Sequence, residues 1–117
     1  MRSPELTIGF TPVARTTFDI PLAGETSRRM RAALEDAGFT VIGGDTLITT
    51  PDEARAAVAD LSTAPPDALL IFHATFVDST LCASLVDTVD APLVLWAIPE
   101  APTGERLRAN ALCGIML

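Results

Sequence analysis

The chain has 117 residues, the size of one domain with one hydrophobic core. Hydrophobic residues make up 49% of it and charged residues 20%, which favours a globular protein over a disordered one. The formal net charge of -7 repels phosphate backbones and anionic lipids, so we expect neither a nucleic-acid partner nor a membrane partner.

The basic residues and the cysteines exclude further classes of functional site. All eight basic residues are Arg, which excludes lysine Schiff bases and the lysine of phosphate-binding P-loops. The two cysteines, Cys82 and Cys113, fall in predicted helices, and we interpret them as buried free thiols of a cytoplasmic protein. No segment has the roughly 20 apolar residues of a membrane span, and none resembles a signal peptide.

The first half of the chain alternates strand and helix. The segment Glu5–Phe10 predicts the first strand. The first helix is expected to open near Glu25 and Thr26 and to end at Gly38, a residue type that favours helix termination. Phe39–Gly44 then predicts the second strand, which is closed by a pair of glycines.

The alternation continues through the middle of the chain. The second helix is predicted to begin with Thr50 as its N-cap, Pro51 at its first position and Glu53 completing a capping box. The apolar run Ala68–Phe72 predicts the third strand, and the third helix is expected to be capped by Asp78.

The last predicted elements are a strand over Pro92–Ile98 and a helix that begins near Thr103. The third and fourth strands are almost entirely apolar, which is typical of parallel strands covered on both faces. The sequence therefore predicts an α/β fold, a doubly wound parallel four-stranded sheet of the flavodoxin-like class with strand order 2-1-3-4. We expect residues 1–117 to form a single domain, the amino-terminal part of a longer enzyme, because the sequence ends on apolar residues.

A ligand site is expected where the strands of such a sheet reach their carboxyl ends. The segment Phe10–Pro21, which follows the first strand, is unusually rich in polar and aromatic residues for a connecting loop. Together with the other segments at this edge, it supplies the candidate ligand-binding residues Thr11, Arg15, Thr16, Phe18, His73, Phe76 and Glu100.

Each candidate also has a purely structural interpretation. The Arg15 guanidinium suits a carboxylate, a phosphate or a polyhydroxylated ligand, but it could instead pair with Asp19. The threonine hydroxyls could bind a sugar or form caps and turns. Phe18 could stack on a sugar or fix the loop to the core. His73, the one histidine, could be a base or a satisfied structural residue, and Glu100 could be an exposed loop carboxylate.

No catalytic residue and no metal ligand is assigned within this chain. A single histidine without a neighbouring carboxylate or cysteine pattern does not make a metal site. The pair Gly43-Gly44 is not the glycine pattern of a dinucleotide-binding loop. The first loop lacks the Ser/Thr-Gly phosphate cradle of flavin mononucleotide proteins. His73 stands where a receiver domain carries its phosphorylated aspartate.

Three segments in order carry a family resemblance: "ARTTFDIPLA", "FHATFVDSTL" and "LWAIPEAPTGERLRANALCGI". Together they resemble the amino-terminal region of L-fucose isomerase-like proteins and, more distantly, of L-arabinose isomerases. The resemblance implies a multi-domain, oligomeric, manganese-dependent enzyme that interconverts aldoses and ketoses, in which this domain helps wall the active site, often that of a neighbouring subunit. It further implies that Arg15, Thr16, Phe18, His73 and Phe76 face the sugar.

Two departures limit what the resemblance implies. The first loop lacks the Gly-Ser-Gln pattern of arabinose isomerases, and the metal ligands of the family belong to later domains. Three hypotheses therefore stay open: a substrate-binding and assembly domain of a sugar isomerase-like enzyme, a free-standing non-catalytic binding or interaction module, and a small enzyme that uses His73 as its base. The first is favoured, with a sugar or polyol as ligand and either carboxy-terminal domains or further copies as partners.

Overall fold

A computed structural model describes residues 6–63, 65–77, 79–86 and 89–98. Its elements are, in chain order, β1 (Thr7–Val13), α1 (Ile20–Asp36), β2 (Thr40–Ile42), α2 (Pro51–Thr63), β3 (Ala68–His73), α3 (Ser79–Val86) and β4 (Leu93–Trp96). The strands form one sheet with order β2-β1-β3-β4, and all three pairings are parallel. This confirms the predicted α/β class and the predicted strand order. The fourth helix predicted near Thr103 lies outside the described residues.

The first strand is longer than predicted and includes Pro12. In β1, Pro12 lies opposite Phe72 of β3, and its carbonyl accepts a hydrogen bond of 2.8 Å from the backbone of Ile48. In a strand, the N–H and C=O of one residue point to the same side. The N–H that proline lacks is therefore missing on the side where β2 has already ended at Ile42, so β1 tolerates a proline in a central strand.

The first helix begins five residues before the predicted start at Glu25. Asp19 is its N-cap, and its Oδ1 accepts a hydrogen bond of 3.0 Å from the backbone N–H of Leu22. Pro21 occupies the first turn, where its missing N–H costs nothing. The predicted end was close: α1 stops at Asp36, and Gly38 follows with a φ of 102°.

The capping box at the start of α2 is confirmed. The Glu53 backbone N–H donates to Thr50 Oγ1 over 3.2 Å, and the Glu53 carboxylate accepts from the same hydroxyl. Glu53 also accepts hydrogen bonds from the backbone and the hydroxyl of Thr49. These bonds lower the pKa of Glu53 below its ordinary value, because they favour its charged form.

The central strands β1 and β3 are covered on both faces, as predicted for the third strand, whereas the same prediction for the fourth strand is not met. Leu69 and Ile71 of β3 point to one face, where they pack with buried residues of α2 and α3. Leu70 and Phe72 point to the other, where they pack with Ala23 of α1 and with residues of β1. The Phe72 ring stacks on Phe10 of β1 at 5.9 Å and meets the edge of Trp96 at 5.4 Å.

The last strand differs from the central ones. Leu93, Val94 and Leu95 of β4 are 48%, 45% and 43% exposed, whereas most of β3 is buried. β4 pairs only with β3 among the described residues and forms one edge of the sheet. It therefore presents apolar side chains and an unpaired backbone edge, features that usually call for a covering partner.

Candidate functional site at the carboxyl edge of the sheet

The loop after β1 is shorter than the sequence suggested. Because β1 extends to Val13 and α1 begins at Ile20, the connection comprises only residues 14–19. Ala14 is buried and hydrogen-bonds to Ile48, and a turn brings the Phe18 N–H to 3.0 Å from the Arg15 carbonyl. The turn leaves the side chains between these two anchor points, including Arg15 and Thr16, exposed at the carboxyl edge.

The segment after β3 holds this loop in place. The Arg15 backbone N–H donates a hydrogen bond of 2.8 Å to Oγ1 of Thr75, which is fully buried. The same hydroxyl donates to the Phe76 carbonyl over 2.9 Å. The rings of Phe18 and Phe76 lie 6.3 Å apart. The structure therefore brings Arg15, Phe18 and Phe76 together.

Arg15 lines a cavity of about 280 Å³ at this edge. The described residues that line the cavity are Ala14, Arg15, Thr49, Pro51, Val77, Thr80 and Leu81. They come from the loop after β1, the start of α2 and the start of α3. None of them is acidic, and Arg15 forms no ion pair with any residue that the structure describes. Asp19, the alternative partner, is used instead as the cap of α1.

A second cavity, of about 470 Å³, lies beside the end of β2 and has the opposite character. Its wall includes the turn Gly43-Gly44 and the carboxylate residues Asp45, Glu53 and Asp60, and none of the described residues that line it is basic. Gly44 is required in this turn because its φ is 84° and a Cβ there would lie 2.5 Å from the Phe10 ring. The two cavities therefore differ in charge, and the one beside Arg15 is the better place for an electron-rich ligand.

Thr11 does not lie in the loop where the sequence analysis expected it. It is a residue of β1, only 1% exposed, and its hydroxyl donates a hydrogen bond of 2.9 Å to the Leu70 carbonyl of β3. The expected placement was wrong because the prolines of this segment were interpreted as loop residues. The hydroxyl serves the pairing of β1 with β3 in the structure.

His73 lies at the end of β3, opposite Val13, but its side chain is only 1% exposed. The His73 side chain is therefore buried, whereas the Arg15 side chain is exposed at the same edge of the sheet. Its Nε2 lies 3.6 Å from Sγ of Cys82 in α3, and its Nδ1 is buried without a hydrogen-bond partner among the described residues. Burial lowers the pKa of His73, and a contact with the Ile71 backbone opposes this shift without cancelling it.

Cys82 is half-buried rather than buried. Its pairing with His73 is one contact that the sequence did not reveal, since the two residues lie on separate elements. Thr75, Thr49 and Thr80 are further residues of the site that the sequence analysis did not assign. Their position one to three residues beyond a strand end or beside a helix start was the available signal. Cys113, Asp78 and Glu100 lie outside the described residues.

The described side chains at this edge do not form a donor set that suits manganese. Within the described ranges, no three His, Cys, Asp or Glu side chains converge in a way that could hold a metal ion. Manganese prefers several carboxylate and imidazole ligands, and the one imidazole here is buried against a thiol.

No helix within the described ranges is both long enough and apolar enough to cross a membrane.

Comparison with known families identifies relatives over nearly the whole chain. A family model described as "Fucose/sulfoquinovose isomerase, N-terminal domain" matches residues 9–117. A sulfoquinovose isomerase of Alkalicoccus urumqiensis is 34% identical over 109 residues, which are 93% of this chain. Sulfoquinovose isomerases of Priestia aryabhattai and Priestia megaterium are 27% identical over 108 residues, or 92% of the chain. In each case the match covers 24% of the relative, so the chain spans about a quarter of the length of these curated relatives.

Proposed function

This chain belongs to the fucose/sulfoquinovose isomerase N-terminal domain family, and from that premise we propose that it is the substrate-binding and assembly domain of an aldose–ketose isomerase. Its carboxyl edge would wall the active site, in its own subunit or in a neighbouring one, while the metal ligands come from later domains. The parent enzyme would be cytoplasmic and oligomeric, and its substrate would be sulfoquinovose, the sugar named for the relatives.

One observation carries the proposal. The loop after β1 and the segment after β3, some 60 residues apart in sequence, are joined by the bond from Arg15 to Thr75 and by the Phe18–Phe76 ring pair. The result is an exposed arginine side chain in a cavity that also includes Thr49 and Thr80, on a loop that the Phe18–Phe76 ring pair helps to anchor. Aromatic faces and hydrogen-bonding side chains are the groups that orient a polyhydroxylated ligand in a pocket.

The described residues support a binding role rather than a catalytic one. Moving a hydrogen between C1 and C2 of a sugar needs an acid/base pair or a metal that polarises the two oxygens. Manganese would supply that polarisation in the parent enzyme. His73 is a poor candidate for the base, because its ring is buried and touches Cys82 rather than an open cavity.

The assembly role is supported by the exposed side chains of β4. Leu93, Val94 and Leu95 form a continuous apolar strand at the sheet edge, and burying them against another domain or subunit would be favourable. In a parent protein as long as these relatives, the remaining three quarters of the chain would supply such a surface.

The proposal is tested with the parent protein and with residues 1–117 alone. We expect the parent protein to interconvert an aldose and its ketose, to lose this activity with a chelator and to recover it with Mn²⁺. The isolated chain should show no turnover under the same conditions. Sugar binding without turnover by the manganese-loaded parent protein would support the alternative of a non-catalytic binding module. Turnover by the isolated chain that disappears in His73→Ala would instead support the small-enzyme hypothesis.

A further inference from the structure

We infer that Arg15 selects an anionic sugar by binding its sulfonate group, an inference that rests on the proposed function. Three observations converge on it. Arg15 is exposed and lines a cavity at the carboxyl edge, it forms no ion pair with the described residues, and none of the described residues lining the cavity is acidic.

Arg15 is distinguished by its cavity, whose described wall holds no acidic residue although the chain as a whole is acidic. With 15 acidic and 8 basic residues, a surface arginine has many carboxylates available. Among the described residues, Arg31 pairs with Glu35 and Arg55 pairs with Asp52, whereas Arg15, Arg28 and Arg29 form no ion pair. Of these three, Arg28 lines a cavity that also includes Asp45, and only Arg15 lines a cavity without an acidic residue in its described wall. The Asp19 carboxylate, four residues from Arg15, caps α1 instead. The guanidinium of Arg15 therefore remains available to an external anion.

The guanidinium also has the right shape for this ligand. Its planar fork donates two parallel hydrogen bonds to two oxygens of one anion, as it does with carboxylates and phosphates. A sulfonate presents three equivalent oxygens, so two can face the fork while the third accepts from a neighbouring hydroxyl. Thr80, which lines the same cavity and is exposed, offers such a hydroxyl.

The cavity lies at the lower limit of the usual size of ligand pockets, which is enough for one end of a sugar. Complete ligand pockets usually measure about 300–1,000 Å³, and the cavity beside Arg15 measures about 280 Å³. In sulfoquinovose the sulfonate is on C6, at the opposite end from the reacting C1 and C2. Holding the sulfonate here would let the reacting end extend away from this domain toward the metal ligands supplied by later domains.

The backbone position of Arg15 fixes where the charge is presented. Its N–H is tied to Thr75, and its carbonyl accepts from Phe18, so the residue has both backbone groups anchored while the side chain remains exposed. A substitution of the side chain leaves these bonds intact. Arg15→Gln should therefore change ligand recognition without unfolding the loop.

The experiment measures calorimetric binding and steady-state kinetics of the full-length parent protein with three sugars: sulfoquinovose, glucose 6-phosphate and glucose. We expect Arg15→Gln to weaken binding of sulfoquinovose and to lower its kcat/KM by about 10- to 100-fold, the effect of losing a charge-assisted hydrogen-bond pair. The kcat/KM of Arg15→Gln for glucose should differ from that of wild type by less than about 3-fold. Arg15→Lys keeps the charge but loses the planar fork, so its kcat/KM for sulfoquinovose should lie between those of wild type and Arg15→Gln. Arg29→Gln, which removes the same charge from an exposed position on α1, should match wild type for all three sugars.

The outcomes separate this inference from the proposed function. If Arg15→Gln weakens sulfoquinovose and glucose equally, or neither of them, the inference is overturned while the isomerase function stands. The same holds if the wild-type enzyme prefers glucose 6-phosphate to sulfoquinovose, which would assign the site to a phosphate. If the wild-type protein isomerises no sugar, the proposed function fails. The loss of sulfoquinovose binding in Arg15→Gln, measured by calorimetry, would still support the sulfonate site, and unchanged binding would refute it.

Discussion

The loop after β1 and the end of β3 lie side by side at the carboxyl edge of the sheet, and they use their side chains in opposite ways. In the loop, the side chains of Arg15 and Thr16 are exposed. The hydrogen bond from Arg15 to Thr75 is made by the Arg15 backbone N–H and not by its side chain. At the end of β3, His73 and Thr75 are buried, and His73 Nε2 and Thr75 Oγ1 contact other parts of the protein. A position at the carboxyl edge therefore identifies where a ligand can bind, but burial decides which residues can reach it.

This comparison predicts different results for the same substitution in the two regions. Phe72→Ala removes a ring of β3 that is fully buried between Phe10 and Trp96, so we expect the free energy of unfolding to fall by about 3–5 kcal/mol. Phe18→Ala removes a half-buried loop ring that contacts Phe76, and it should lower the free energy of unfolding by only about 1 kcal/mol.

Urea denaturation of wild type and both variants measures the difference. Circular dichroism of each variant before denaturation serves as the control for a folded starting state. Equal losses for the two substitutions would show that the loop is as much a part of the core as β3, which would remove the distinction between the regions.

The sequence predicted the arrangement of the strands better than their lengths. The apolar runs of the third and fourth strands, with helices between the strands, favour a doubly wound parallel sheet, and the predicted order 2-1-3-4 is confirmed although β4 lies at the edge. The ends of the elements depended on contacts that are distant in sequence. Pro12 belongs to β1 only because β2 is short, a fact that no local pattern around Pro12 records.

The start of α1 is a different kind of error, because its signal was present. Asp19 followed by Pro21 is the combination of an N-cap residue and a first-turn proline that marks a helix start. The prediction gave more weight to the later pair Glu25 and Thr26. The earlier signal places the start of α1 at Ile20, so the exposed connection at this edge comprises only residues 14–19.

The candidate site was predictable as an edge of the sheet but not as a set of contacts. The bond between Arg15 and Thr75 spans 60 residues, and the burial of His73 depends on where α3 packs. A strand-end histidine looks the same in sequence whether its ring points to solvent or to a helix. The predicted roles of Thr16, Phe18 and Phe76 in sugar binding stay predictions that the proposed experiments address.

A smaller effect is expected from the hydroxyl that joins the two regions. Thr75→Val keeps the shape of the side chain but removes the acceptor for the Arg15 N–H and the donor to the Phe76 carbonyl. The free energy of unfolding should fall by about 1–3 kcal/mol, because the substitution leaves the Arg15 backbone N–H without its partner. Thr16→Val, in the exposed loop, should stay within about 0.5 kcal/mol of wild type.

Thermal and urea unfolding of the two valine variants provide the measurement. Thr75→Ser is the matched control, since it restores the hydroxyl and should recover most of the loss. A Thr75→Val variant as stable as wild type would mean that the loop is held by the aromatic pair and not by this bond.

The smallest expected effect is the pH dependence that His73 adds to stability. Its pKa in the folded protein is lowered by burial, whereas in the unfolded chain it takes the ordinary value of 6.5. Below that value the unfolded chain binds a proton that the folded protein does not, so the free energy of unfolding should fall as the pH drops through 6.5 toward the lowered folded pKa. One group changes it by at most about 1.4 kcal/mol per pH unit.

The pH measurement can be assigned to one residue because the chain has one histidine. Glu53, whose pKa is lowered, stabilises the fold above its ordinary pKa of 4.5, and that contribution is lost only at lower pH. Urea titrations at pH 7.5 and pH 5.5 therefore isolate His73 from the carboxylates. The slope between these values should be clear in wild type and in Arg15→Gln, and it should be nearly flat in His73→Gln. An equal slope in wild type and His73→Gln would mean that His73 is accessible to protons in the folded state, and it would then have to be reconsidered as a residue of the exposed site beside Arg15.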